Sequence, residues 1–110
     1  MKLLTVLESD VLDLIPIGGG RRISIKEIGQ LLNVEERVIY ETINRLRKKG
    51  VPVCAKRNGE KRGYFIATNE EERREGLSAY KAQVKDMTKL INQIERANLE
   101  HWQENIERAK

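Results

Sequence analysis

Gly50 separates two hydrophobic periods, and that change restricts the chain to a mixed fold. Before it, apolar residues recur at intervals of about 3.6, the helical period. After it, Val51, Val53 and Ala55 alternate with Pro52, Cys54 and Lys56, a period of about 2 that belongs to a strand. The helical half divides into three. Thr5 with Glu8, and Ser24 with Glu27, have the spacing of capping boxes, in which a hydroxyl and a carboxylate satisfy each other's backbone N–H groups. Leu7, Val11, Leu12 and Ile15 follow the first box until Pro16 and the Gly18-Gly19-Gly20 loop. Ile23-Ser24-Ile25 is a brief extended stretch. The second box opens a helix with Ile28, Leu31 and Leu32 as its expected inner face, closed at Asn33. Gly29, inside that helix, fits a close crossing of the second and third helices. A third helix runs from about Glu35 to Lys49 and stops at Gly50. Asn58-Gly59, in the turn before Tyr64-Phe65-Ile66-Ala67, is a strong hairpin signal. The expected class is mainly α with a small β-hairpin (α+β).

Helical spacing returns beyond the hairpin. Asn69 to Lys110 holds no proline and one glycine, Gly76. Leu77, Tyr80, Val84, Met87, Ile91 and Ile94 fall at 3-4 spacing, the seam of a coiled coil. After Ile94 the register falters: Asn98 and His101 take the next slots, while Leu99, Trp102 and Ile106 lie one place further round. A helix over 69–110 would be roughly 60 Å long. It cannot bury such a stripe on the 68 residues before it, so it needs a second chain or folds back on itself. The expected division is therefore a globular domain over 1–68 and a long dimerisation helix over 69–110, with Leu77, Tyr80, Val84, Met87, Ile91, Ile94 and Trp102 at the interface.

Charge separates the same two parts. Residues 1–68 carry 13 Lys and Arg against 8 Asp and Glu, and residues 69–110 carry 8 against 9. A basic module ahead of a neutral helix points to an anionic partner. No run approaches the roughly 20 apolar residues of a membrane span. Glu8, Asp10 and Asp13 interrupt any leader-like start, so the expected location is the cytoplasm. One cysteine and one histidine exclude a disulfide framework and a Cys/His zinc site. Cys54 is expected to be a packed thiol, His101 a seam or surface residue, and Trp102 a packing anchor. No nucleophile elbow or phosphate-cradling glycine loop is present, so neither catalysis nor a cofactor is expected.

On a helical wheel of about 100° per residue, Ile39, Ile43 and Leu46 define the inner side of the third helix. Arg37, Glu41, Asn44 and Lys48 face the other way, flanked by Tyr40 and Arg45. Arginine suits the guanine O6/N7 edge, asparagine the adenine N6/N7 edge and a carboxylate the cytosine N4 amine. Tyr40 and Arg45 are placed for phosphates. Lys56, Arg57, Lys61 and Arg62 surround the hairpin tip, with only Glu60 opposing them, and fit a DNA backbone or a minor groove. Ser24 and Lys26, at the start of the second helix, are further candidates for phosphate.

These residues resemble a family. Ile25-Lys-Glu-Ile28-Gly29-Gln-Leu-Leu32-Asn33-Val34, followed by Ile39, Ile43 and Leu46-Arg-Lys-Lys-Gly50, is similar to the winged helix-turn-helix of bacterial and phage regulators. The stretch from Leu46 to Val53, with Gly63-Tyr64-Phe65-Ile66, resembles the DNA-binding module of the biotin repressor. The resemblance spans about residues 6–68. It implies that Arg37, Tyr40, Asn44 and Arg45 occupy recognition positions and that Lys61 and Arg62 belong to the wing. Glu35 and Glu36 depart from the Ser or Thr cap and small or basic residue usual there. The function expected is a homodimeric transcriptional regulator binding double-stranded DNA. Two alternatives remain: a protein-interaction adaptor or anti-repressor with its own protein partner, and a phage replication-initiation factor binding an origin.

Overall fold

In the computed structural model, which describes residues 2–56 and 63–109, three helices precede an antiparallel hairpin and a long helix. They are α1 (Val6–Leu14), α2 (Ile25–Leu32), α3 (Glu36–Lys48), β1 (Val53–Lys56), β2 (Gly63–Ile66) and α4 (Glu70–Arg96), then one 3₁₀ turn, Trp102–Asn105. The class read from the sequence, mainly α with a small hairpin, is the class observed. The chain forms two compact units, Met1–Ala79 and Tyr80–Lys110.

Both capping boxes of the first unit close. The Thr5 hydroxyl accepts the Glu8 N–H at 3.1 Å and the Glu8 carboxylate accepts the Thr5 N–H at 2.8 Å. Ser24 and Glu27 do the same at the start of α2. Asn33 ends α2 in the left-handed region, at φ 54°, which asparagine tolerates better than most residues. A Cβ on Gly29 would lie 2.8 Å from the Val34 carbonyl oxygen, so the glycine admits the turn's own backbone. α3 ends ahead of Gly50, at φ 96°, with Arg45, Arg47 and Lys48 in its last turn, where cations favour the helix dipole.

The core lies where the three helices meet the hairpin. Val11, Ile15, Ile23, Ile25, Ile28, Ile39, Ile43, Leu46 and Val53 are buried together. Each such side chain contributes about 1.5–3 kcal/mol when removed from water. Leu31, expected on the inner face of α2, is 65% exposed instead. Ile25, Ile28 and Leu32 share one helical face, and Leu31 stands about 95° from its centre.

The hairpin pairs Val53 with Ile66 and Lys56 with Gly63. β2 also pairs with Ile23, which accepts the Tyr64 N–H at 2.7 Å and donates to the Tyr64 carbonyl at 3.1 Å. Only Ile23 of the expected extended stretch joins the sheet, because the cap at Ser24 begins α2 directly afterwards. β1 also departs from simple alternation. Cys54, on the opposite face from Val53 and Ala55, is buried as they are, and Gly76 of α4 lies against it.

Three residues fix the start of α4. Asn69 accepts the Glu72 N–H at 2.8 Å. The Glu72 carboxylate accepts the Thr68 N–H at 2.8 Å, the Thr68 hydroxyl at 2.6 Å and, across the fold, the Gly19 N–H at 2.5 Å. In the second unit the helix expected to reach Lys110 ends at Arg96. The side chain of Asn98 accepts the N–H groups of both Glu100 and His101 at 2.9 Å, a local turn that competes with helical bonding.

Candidate nucleic-acid interface

α3 is held from one side. Ile39, Thr42, Ile43 and Leu46 are buried, and the Thr42 hydroxyl donates to the Val38 carbonyl at 2.7 Å, so no polar group on that face is left unsatisfied. The other side is open. Arg37, Tyr40, Glu41, Asn44, Arg45 and Lys48 are all exposed, and positions 37, 41, 44 and 48 lie within about 60° of one another around the helix. The face is basic apart from Glu41.

Two of these side chains are tethered. The Arg45 Nε lies 3.4 Å from the Glu8 carboxylate, and its guanidinium donates to the Thr42 hydroxyl at 3.1 Å. Glu8 itself is completely buried, with the Lys49 ammonium 2.5 Å from its other oxygen. The hydrogen bond from Lys49, aided by the Thr5 N–H, holds the Glu8 carboxyl below its usual pKa although burial acts the other way. Asn44 is the second tethered residue: its Oδ1 accepts from Arg47 Nη1 at 3.2 Å. Arg47 is half-buried, donates from Nε to the Val53 carbonyl at 3.0 Å, and lies 5.8 Å above the Tyr64 ring.

Of the wing cations, Lys56 is half-buried at the end of β1, 4.0 Å from the Glu75 carboxylate. Arg57, Lys61 and Arg62 lie outside the described residues. Lys26 is exposed in the first turn of α2, while the Ser24 hydroxyl is engaged by its own capping box.

The seam residues divide between the units. Leu77 belongs to the first and is 38% exposed beside buried Gly76. In the second, Tyr80 is half-buried and Val84, Met87, Ile91 and Ile94 are exposed on α4, as is Leu90. Trp102, expected on the same helix, stands in the 3₁₀ turn because α4 has already ended. His101 is exposed beside Glu100 and Glu104.

Sequence reading missed Glu8, Arg47 and Glu72. Glu8 had a signal, since it shares a helical phase with Val11 and Ile15 and is therefore aimed at the core. Burial also raises the Cys54 thiol pKa, with the charges of Arg47 and Arg73 opposing the shift. Among the described residues, no group of three His, Cys, Asp or Glu side chains is placed to hold a metal, and no helix is long and apolar enough to cross a membrane. A protein-family model described as an HTH domain matches residues 9–65, from within α1 into β2. No curated protein and no solved structure matches significantly.

Proposed function

Because the chain belongs to the HTH domain family, a family of DNA-binding helix-turn-helix units, we propose that it is a homodimeric transcriptional regulator of bacterial or phage type. α3 is the recognition helix in the major groove, and the hairpin rests on the backbone or in a minor groove. The observation that carries this reading is the exposure of Arg37, Asn44 and Lys48 along one side of a helix whose other side is locked in the core. Arg37 and Asn44 face base edges, while Tyr40, Arg45, Lys48 and the wing cations Lys56, Arg57, Lys61 and Arg62 face phosphates. Glu41 accepts from a cytosine amine.

Homodimer formation is supported by Val84, Met87, Ile91 and Ile94, apolar residues at 3-4 spacing that no described part of the second unit covers. Two copies double the phosphate contacts and match a two-fold operator. The test is fluorescence anisotropy of a labelled mixed-sequence duplex at several salt concentrations, followed by selection of sites from a random pool. A steep fall of affinity with salt is expected, because phosphate contacts release counterions. No binding at low salt refutes the reading.

Glu41, at the centre of the exposed face, favours a second reading in which α3 binds a protein. Under it, Arg37→Glu leaves duplex binding at background while abolishing capture of the protein partner.

A further inference from the structure

Arg47 carries a charge in the last turn of the recognition helix, yet its guanidinium faces the hairpin. One nitrogen is bonded to the β1 backbone at Val53, the plane lies near the Tyr64 ring of β2, and a second nitrogen reaches Asn44. A guanidinium has donors and no acceptor, so the amide atom facing it is the oxygen. The two N–H donors of Asn44 are then left for an incoming ligand.

We infer that Arg47 is a positioning residue that turns the Asn44 oxygen toward the hairpin and its N–H donors toward base edges, which deepens the DNA-binding reading and rests on it. The bidentate adenine contact expected of asparagine needs the amide oxygen and nitrogen turned together toward N6 and N7. Here Arg47 takes one lone pair of the oxygen and holds it turned toward the guanidinium, which the strap to Val53 and Tyr64 keeps from following the oxygen outward. Two outward donors match two adjacent acceptors, and in the major groove guanine O6 and N7 form such a pair. Asn44 therefore selects guanine over adenine. Lysine at position 47 keeps the charge but is a single point donor that cannot hold Val53, Tyr64 and Asn44 at once.

Sites are selected from a random duplex pool with the parent chain, Arg47→Lys and Asn44→Ala, each first checked for folding by circular dichroism. The parent is expected to prefer guanine over adenine at one position by about fivefold or more, the low end for one good base contact. Asn44→Ala, at an exposed site, should fold and lose that preference. Arg47→Lys should lose most of it while keeping the parent's affinity for mixed-sequence duplex and its salt slope, a separation that simple destabilisation does not produce. Adenine preference in the parent, undiminished guanine preference in either variant, or parallel loss of mixed-sequence affinity in Arg47→Lys overturns the inference. Absence of duplex binding by the parent overturns the DNA-binding function on which it stands.

Discussion

Replacing Gly76 with alanine sets two effects of opposite sign against each other. In the middle of a helix the change ordinarily stabilises by about 1 kcal/mol, because alanine loses less backbone entropy. At this position the new Cβ would lie 2.6 Å from the Cys54 Sγ and closer still to the Cys54 Cβ. Ordinary carbon contacts lie at about 3.5–4.0 Å. The sulfur can rotate aside, but the Cβ is fixed to β1, so relief requires α4 and the hairpin to separate by about 1 Å. That movement stretches the one bond the Glu72 carboxylate accepts across the fold, from the Gly19 N–H. Overpacking costs about 1–3 kcal/mol, and the weakened hydrogen bond about 1 kcal/mol more. The net expectation is a loss of about 1–3 kcal/mol, at about 4–8 °C of melting temperature per kcal/mol for a domain of this size. Thermal unfolding followed by far-ultraviolet circular dichroism measures it, at one fixed protein concentration because self-association shifts the midpoint. Cys54→Ala in the same chain should recover only part of the loss, since it removes the sulfur and keeps the Cβ. A Gly76→Ala chain that melts at or above the parent refutes the reasoning.

Four further outcomes are expected. Glu8 and Glu72 both have lowered pKa values in the folded chain, set first by Lys49 and by the Thr68 hydroxyl respectively. Their stabilisation is complete above the ordinary value of 4.5 and disappears as the pH falls through the folded-state values; urea midpoints across that range should fall with acid, and less steeply in Glu8→Gln. Cys54 should react with a thiol reagent only at the rate of unfolding, because it is buried and its pKa is raised, and fast labelling of the native chain would contradict this. Gly29→Ala, whose Cβ would meet the Val34 carbonyl, should lower stability by about 1–3 kcal/mol in urea titrations. Arg37→Ala should weaken a selected site by about 1–3 kcal/mol in anisotropy titrations and leave mixed-sequence duplex nearly unaffected, whereas equal losses on both would remove Arg37 from base reading.

Local chemistry was the legible part of the fold. Thr5, Ser24, Asn33 and Gly50 act on backbone groups within a few residues, so their effects follow from spacing alone. Leu31 faces solvent against expectation because apolar character says little about helical phase when a helix is only eight residues long. Asn98 falls at a seam position by spacing alone, but its side chain binds its own backbone and the helix ends before it. For the candidate site, the wheel that set Ile39, Ile43 and Leu46 inward agrees with their burial. The tethers among its side chains were out of reach. Glu8 and Lys49 are separated by 41 positions, and nothing local to either names the other. The bond from Arg47 to Val53 likewise depends on how the hairpin folds back over α3.

Glu72 draws a boundary between inheritance and folding. The family match stops at residue 65, yet the Gly19 amide inside that stretch finds its acceptor on a residue beyond it. A protease or a gene rearrangement cutting after Thr68 would leave every element of the helix-turn-helix in place. It would also leave the glycine loop without its acceptor and Cys54 without Gly76 over it. The matched module thus takes two of its contacts from residues beyond it, and the smallest fragment expected to keep this structure runs to about Ala79.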